Sequence, residues 1–185
     1  MGRSLKYDIP GDDPRVTPAE VAEMGWEKLF ATPTAPGRGA MILEVGFGRG
    51  EFLLAMAEAS PETCFVGIEV SFKRTLKMAR KVARARLSNV RLMEARAELA
   101  IREHFAEASL DEIWINFSDP WPKTRHAHRR LIQPPFVADV ARALRPGGRL
   151  FVATDDVPYA HQIDEVLAGE GRLENECAPW PFLAE

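Results

Sequence analysis

A chain of 185 residues is long enough to bury a hydrophobic core without disulfides or metal ions, and short enough to form a single domain. Its formal net charge of −3 excludes a uniformly basic protein, but residues 71–93 hold eight Lys or Arg and no acidic residue. This local excess favours an anionic partner. The two cysteines lack metal-ligand spacing, the first residues lack the apolar core of a signal peptide, and no apolar stretch has the length of a membrane span. We therefore expect a protein of the reducing cytoplasm that neither binds a membrane nor requires a metal ion.

The first 36 residues are polar and rich in proline, and their pattern predicts one short helix over residues 18–30. Thr17 is the predicted N-cap, Pro18 the first helical residue, and Glu20 the acid that closes a capping box. We interpret residues 1–36 as an N-terminal extension and residues 37–185 as the main domain.

Beyond residue 40, short apolar runs alternate with helical patterns. The runs predict strands over residues 41–45, 64–68, 90–93, 113–117 and 150–153. The intervening patterns predict helices over residues 51–59, 72–87, 97–105, 135–144 and 158–167. Strands that alternate with helices form right-handed crossovers, so the predicted fold is α/β with a mostly parallel, doubly wound sheet.

The first strand runs into a glycine loop, Leu43-Glu44-Val45-Gly46-Phe47-Gly48-Arg49-Gly50. Because Gly46, Gly48 and Gly50 have no Cβ, the backbone can turn tightly and approach a ligand closely. The residue that would be the third glycine of a dinucleotide fingerprint is Glu51, and its carboxylate disfavours a bound pyrophosphate. The loop therefore favours a cofactor without phosphates, such as S-adenosylmethionine, over a nicotinamide dinucleotide.

Two acidic residues accompany the loop. Glu69 ends the second strand, where a carboxylate can accept hydrogen bonds from ribose hydroxyls. Glu44 lies inside the first strand, and two roles are open for it. It either contacts the charged amino-acid end of the cofactor or supports the loop through a hydrogen bond.

Asp119-Pro120-Trp121 follow the fourth strand, on the other wall of the expected crevice. Pro120 restricts the backbone, so the Asp119 carboxylate has a defined direction. Trp121 offers a flat surface on which a base can stack. Cations that can neutralise phosphates come next, namely Lys123, Arg125, Arg129 and Arg130. This order predicts a nucleic-acid substrate held beside an acid.

The predicted helix over residues 72–87 is amphipathic, with one cationic side. The basic residues at helical spacing are Lys73, Lys77, Arg80, Lys81 and Arg84. Two interpretations are open: an ordinary solvated face, or a surface that docks RNA phosphates.

These motifs resemble those of the bacterial tRNA (guanine-N7)-methyltransferases, the TrmB family. The resemblance runs over residues 26–159 and includes Gly67-Ile68-Glu69-Val70, Asp119-Pro120-Trp121-Pro122-Lys123 with Arg125-His126 and Arg129-Arg130, and Ala153-Thr154-Asp155. It implies a class I, Rossmann-like methyltransferase that transfers a methyl group from S-adenosylmethionine to N7 of a guanosine in the tRNA variable loop. It also implies a monomer or a homodimer.

The resemblance assigns roles to residues of this chain. Glu44, Glu69 and Asp119 belong to the cofactor pocket, together with the loop glycines. Lys123 and Asp155 are expected to contact the substrate guanosine or to lie close to it. Guanine N7 carries a free lone pair and no proton, so we expect Asp119 to orient the base and to stabilise developing charge rather than to act as a strong base.

Two departures from the family pattern stand out. Arg96 occupies the position near the adenine edge where the family has Asn or Asp, and a later family segment with Thr-x-x-Glu is not in this sequence. We therefore expect a sheet without the usual final strand. Either the pocket is closed differently, or activity is reduced, or the sequence is part of a longer chain.

Other functions fit some of the same features. One alternative is a methyltransferase for exocyclic amines of nucleic acids, which grips the amino group with an Asp/Asn-Pro-Pro-aromatic turn. Here a single proline precedes Trp121 and a Lys-x-Arg-His block follows, which favours methylation at N7. A second is a noncatalytic or weakly active tRNA-binding relative. A nicotinamide dehydrogenase is disfavoured by Glu51.

Overall fold

A computed structural model describes residues 8–30, 39–180 and 182. Its strands form a single six-stranded sheet in the order β1-β4-β3-β2-β5-β6, and every neighbouring pair is parallel. The strands are β1 Arg15–Val16, β2 Met41–Val45, β3 Cys64–Glu69, β4 Val90–Glu94, β5 Leu110–Asn116 and β6 Leu144–Ala153. The α-helices are α1 Pro18–Leu29, α2 Glu51–Ala59, α3 Phe72–Ala85, α4 Ala97–His104, α5 Pro134–Ala143 and α6 Val157–Ala168. The predicted α/β fold with a parallel sheet is confirmed.

The main differences from the predicted elements lie at the sheet edge and after β5. Strand β1 was not predicted, because two residues are too few for an alternating pattern. The 3-10 helix Thr124–Arg129 was not predicted either. Strand β6 begins six residues earlier than predicted, since its first half, Arg145-Pro146-Gly147-Gly148, has the composition of a turn. The register between β5 and β6 shifts at the same place.

The N-terminal helix packs against α4 and joins the apolar cluster on that face of the sheet. Thr17 and Glu20 form the predicted capping box. The Trp26 Nε1 donates to the backbone carbonyl of His104 at 2.7 Å, and its ring stacks on Phe105 with centroids 5.1 Å apart. Strand β1 adds to the sheet beside β4. The predicted domain boundary after residue 36 lies outside the described residues and stays a prediction.

Helices cover both faces of the sheet. One apolar cluster packs α1, α4, α5 and α6 against residues such as Leu43, Ile113 and Ile115. The other packs α2 and α3 against residues such as Ile42 and Phe65. Alternating strand residues therefore serve opposite faces, as the pleat requires. Burial on both faces explains why the strands read as nearly continuous apolar runs.

The chain order reverses at β2. Strands β3 and β4 lie on one side of it, and β5 and β6 lie on the other. Because all strands are parallel, their carboxyl ends share one edge, and the register pairs Val45 with both Ile68 and Ile115. A ligand crevice is expected outside the end of β2, between β3 and β5.

Two features are absent from the described ranges. No helix there has the length and apolar character required to cross a membrane. Across residues 8–30 and 39–180, no group of three His, Cys, Asp or Glu side chains could hold a metal ion.

Candidate functional site

The glycine loop forms the floor of the crevice at the end of β2. Gly46, Gly48 and Gly50 have φ values of 70°, 55° and 72°, in the left-handed region that favours glycine. A Cβ on Gly46 would meet nothing within 4 Å, whereas one on Gly50 would lie 2.1 Å from the sulfur of Met78. Gly46 therefore leaves space for a ligand, and Gly50 lets α2 pack closely on α3.

Glu69 lies at the end of β3 and is only 3% exposed. Its Oε2 accepts from the backbone N–H of Gly48 at 3.1 Å, and its Oε1 accepts from the N–H of Ser71 at 3.0 Å. The Arg74 guanidinium lies 3.5 Å from the same carboxylate. Glu69 thus joins the glycine loop to the start of α3, at the position where the sequence predicts a ribose contact.

Glu44 lies beneath the loop and is also 3% exposed. Burial raises the pKa of its carboxyl to about 7, although hydrogen bonds from the Asn116 side chain and the Leu53 backbone act in the opposite direction. Its Oε2 has no hydrogen-bond partner among the described residues. A buried carboxylate oxygen without a hydrogen-bond partner suits a ligand that has a hydrogen-bond donor or a positive charge at this position.

Two apolar side chains to which the sequence analysis gave no role line the same edge. Val70 directly follows β3 and is 69% exposed, while Phe117 directly follows β5 and is 66% exposed. Phe117 also has a positive φ of 53°. Exposed apolar groups on both sides of β2 can contact the rings of a bound ligand. In the sequence, the feature that could have indicated Val70 and Phe117 is their position immediately after a buried strand.

The Asp119-Pro120-Trp121 turn forms the β5 wall of the crevice. Asp119 is exposed, and its Oδ1 accepts from the Trp121 N–H at 3.2 Å. Trp121 has a φ of 42°, so the turn places two non-glycine residues, Phe117 and Trp121, in the left-handed region. Such backbone strain is concentrated at functional sites.

The Trp121 ring is flanked by two residues of the 3-10 helix. The Arg129 guanidinium lies over the ring, 4.9 Å from its centroid. His126 meets the ring edge-on, with centroids 5.7 Å apart. A base can therefore stack only on the remaining face of Trp121, or it must displace Arg129.

Arg130 has a different environment from Arg129. Its Nε donates to the Pro120 carbonyl at 2.6 Å, and its Nη1 donates to the Gln162 side chain. The guanidinium also lies 5.0 Å from the centroid of the Tyr159 ring. Arg130 therefore braces the Asp119 turn against α6, rather than projecting freely toward a phosphate.

Tyr159 supports the same turn and was not predicted from sequence. It is completely buried. Its hydroxyl lies 3.3 Å from Ser118 Oγ and accepts from the Ile132 N–H at 3.2 Å. The sequence around Tyr159 predicts only the first turn of a helix, so it does not indicate that the hydroxyl contacts Ser118 and Ile132.

The remaining predicted substrate residues are exposed around the turn. Lys123 and Arg125 project from the beginning of the 3-10 helix, and Asp155 follows β6 at the same edge of the sheet. The structure thus brings all the predicted substrate residues to the β5 and β6 side of the crevice.

The Arg96 side chain is 69% exposed and pairs with Glu98 at 3.1 Å. It lines a cavity together with Trp121 and Arg129, and no glycine of the loop lines that cavity. The assignment of Arg96 to the cofactor site remains a prediction, and the geometry favours a position beside the Asp119 turn.

The cationic side of α3 faces outward, as its spacing predicts. Lys73, Lys77 and Arg84 are exposed. Lys81 is partly buried, and its Nζ donates to the Arg49 carbonyl of the glycine loop at 2.7 Å. The cationic face of α3 and the glycine loop are therefore in direct contact.

Comparisons with known proteins agree with this site. Residues 38–181 match the family described as "Putative methyltransferase". The tRNA (guanine-N(7)-)-methyltransferase of Alkalilimnicola ehrlichii is 43% identical over 145 residues, which cover 78% of this chain and 61% of the relative. That of Ralstonia nicotianae is 40% identical over 167 residues, which cover 89% and 65%. The chain spans somewhat less than two thirds of the length of these relatives.

Solved structures share the fold at low sequence identity. The 16S rRNA methyltransferase KamB has a TM-score of 0.56 at 20% identity, covering 78% of this chain and 72% of that one. A SAM-dependent methyltransferase from Aquifex aeolicus has a TM-score of 0.55 at 15% identity, covering 83% and 87%. The fold is therefore that of the class I methyltransferases. The resemblance to the bacterial tRNA (guanine-N7)-methyltransferases is confirmed in sequence, and the chain belongs to the methyltransferase family matched over residues 38–181.

Proposed function

We propose that the protein is a tRNA (guanine-N7)-methyltransferase that uses S-adenosylmethionine and modifies a guanosine of the tRNA variable loop in the cytoplasm. The observation that carries the proposal is the pairing of two motifs across one crevice. The glycine loop and Glu69 form one side, and the Asp119 turn with its cations forms the other. Relatives at about 40% identity bear the same activity in their names, which supports the choice of substrate.

The loop side suits S-adenosylmethionine. Glu69 can exchange its bond to the Gly48 N–H for bonds from ribose hydroxyls. Glu44 provides a buried acceptor for the positively charged end of the cofactor, and Val70 and Phe117 provide apolar contacts for the adenine ring. When bound, the cofactor supplies a methyl group on a positively charged sulfur.

The β5 side suits a guanine base. The Asp119 carboxylate can accept hydrogen bonds from the base edge, and the free face of Trp121 can stack on the ring. Because N7 has no proton to remove, catalysis depends on alignment, which can supply roughly 7–11 kcal/mol of barrier reduction. Methylation leaves the purine positively charged, so Asp119 becomes a stronger partner as the reaction proceeds.

The braced turn keeps Asp119 in place. Arg130 holds the Pro120 carbonyl, and Tyr159 holds the Ser118 hydroxyl. These contacts let an exposed carboxylate keep a defined direction without a bond from the substrate. Arg130 is therefore a positioning residue in this proposal, whereas Lys123, Arg125 and Arg129 are exposed cations that can contact the RNA.

The test is methylation of an unmodified tRNA transcript. The protein is incubated with the transcript and S-adenosylmethionine labelled in the methyl group, and the RNA is digested to nucleosides for mass spectrometry. We expect labelled 7-methylguanosine. Labelled N6-methyladenosine or N2-methylguanosine would instead identify an exocyclic-amine enzyme. No transfer together with tight tRNA binding would identify a noncatalytic binding protein.

A further inference from the structure

A second cavity lies beside the Asp119 turn, outside the crevice described above. It has a volume of about 500 Å³ and is enclosed by α4, the 3-10 helix and the start of α5. Trp121 forms part of its wall, whereas the glycine loop, Glu69 and Asp119 do not. We call it the arginine cavity, because its cationic lining residues are Arg96, Arg102, Arg129 and Arg130, with His128.

The cations of the arginine cavity are only weakly neutralised by the protein. Arg96 pairs with Glu98, which lines the cavity and is 38% exposed. Arg102 lies 3.0 Å from Asp139, whose carboxylate is also within 4.0 Å of Arg142. The exposed Arg96–Glu98 pair contributes about 0–1 kcal/mol. An incoming anion can therefore compete with Glu98 for Arg96 at low cost, whereas at Arg102, which is 53% exposed, it would share the guanidinium with Asp139.

The cavity also has an apolar wall. Leu131 and Pro135 line it with accessible surface, and the buried Phe136 packs behind them. Trp121 also lines the cavity, with the Arg129 guanidinium over one face of its ring. Guanidinium groups next to flat apolar surface are the combination that binds a nucleotide, because the phosphate needs charge and the base needs a surface for stacking.

The positive charge argues against the cofactor as occupant. S-adenosylmethionine carries a net positive charge, so a cavity lined by four arginines disfavours it. A nucleotide of the RNA strand carries a negative charge and has both groups that the lining can bind. Trp121 lines the arginine cavity and donates its backbone N–H to Asp119, so the cavity and the Asp119 side of the crevice are adjacent.

We propose that the arginine cavity binds the nucleotide adjacent to the target guanosine, with Arg96 and Arg102 at its phosphate and Trp121 as the wall shared by both sites. The inference rests on the proposed function, which supplies the RNA strand and the target base. It also gives Arg96 a role in this chain. The side chain at the family's adenine-edge position contributes here to RNA binding.

The test compares single charge-neutral variants in binding to an unmodified tRNA transcript at several salt concentrations. Arg96→Gln and Arg102→Gln should each weaken binding roughly fivefold and reduce the slope of log Kd against log salt by about 0.7. Arg149→Gln is the matched control, because Arg149 is similarly exposed at 57% and pairs with Glu176, and it lies outside both sites. It removes the same charge and should change tRNA affinity less than twofold.

Two results would overturn the inference. If Arg96→Gln, Arg102→Gln and Arg149→Gln weakened tRNA binding equally, the effect would come from the overall charge of the protein and not from the arginine cavity. A loss of S-adenosylmethionine affinity in Arg96→Gln with unchanged tRNA binding would return Arg96 to the cofactor site. Methyl transfer by the unaltered protein is measured in parallel, so failure of the proposed function appears there and not in the comparison of variants.

Discussion

Replacing Glu44 with Gln should make the protein more stable at mildly alkaline pH. The folded state holds the Glu44 carboxyl in a buried site with a pKa of about 7, against a reference value of 4.5. Between these two values the folded protein binds more protons than the unfolded chain, so folding stability falls as the pH rises. The difference between a pKa of about 7 and one of 4.5 corresponds to roughly 3 kcal/mol of folding stability, which is lost progressively as the pH rises from about 5 to 8. Gln has the same shape and no charge, so it removes this loss.

Urea unfolding at about pH 5 and pH 8 measures the effect. The free energies of unfolding of the two proteins should be similar at the lower pH, where Glu44 is protonated. At the higher pH the Glu44→Gln variant should exceed the unaltered protein by up to about 3 kcal/mol. Glu176→Gln, at a residue that is 67% exposed, serves as the control and should show no such divergence. If the free energies of unfolding of the two proteins differed by the same amount at both pH values, the conclusion that Glu44 is protonated in the folded state would be wrong.

If the protein binds S-adenosylmethionine as proposed, Glu44 should also link cofactor binding to protonation. A positive charge placed beside a carboxylate lowers its pKa, so binding of S-adenosylmethionine near pH 7 should release protons from Glu44. Calorimetric titration in two buffers with different ionisation enthalpies measures this release. The Glu44→Gln variant should show none.

Three further predictions concern the proposed site. Glu69→Ala should weaken S-adenosylmethionine binding by about 1.5–3 kcal/mol in calorimetry, because the variant cannot form charge-assisted hydrogen bonds to the ribose, and unchanged affinity would remove Glu69 from the cofactor site. Asp119→Ala should abolish most methyl transfer while tRNA binding and the thermal unfolding midpoint stay close to those of the unaltered protein, and near-normal turnover would contradict the proposed role. Combined Lys77→Gln and Arg84→Gln, at exposed positions of α3, should weaken tRNA binding and lower its salt slope by about 0.7–0.9 for each RNA phosphate that is no longer neutralised. A salt slope that does not change would identify α3 as an ordinary solvated face.

Much of the cofactor side could be predicted from sequence, because its residues act through local backbone geometry. A strand followed by Gly46, Gly48 and Gly50 predicts a turn at the edge of a parallel sheet, and the structure has that turn. Glu69 ends its strand at the expected edge. The burial of Glu44 could not be read in the same way, since it depends on Asn116 and on the packing of α2 over the loop.

The sequence could not show that the arginines near the Asp119 turn have different structural environments. Arg129 and Arg130 are neighbours in one basic run, yet one lies over Trp121 and the other is held by Gln162 of α6. Their difference depends on a helix that follows about thirty residues later. A sequence pattern counts both as cations available to phosphates.

The sequence by itself determined the alternation of strands and helices, the glycine loop and the Asp119 turn, because each depends on propensities and periodicity over a few neighbouring residues. Only the tertiary structure decided which charges are buried and which are engaged by other side chains. It places Arg96 beside Trp121 in the arginine cavity and sets the Tyr159 hydroxyl under the Asp119 turn. These outcomes depend on contacts between distant parts of the chain, since the charge state and direction of a side chain depend on the groups that surround it in three dimensions.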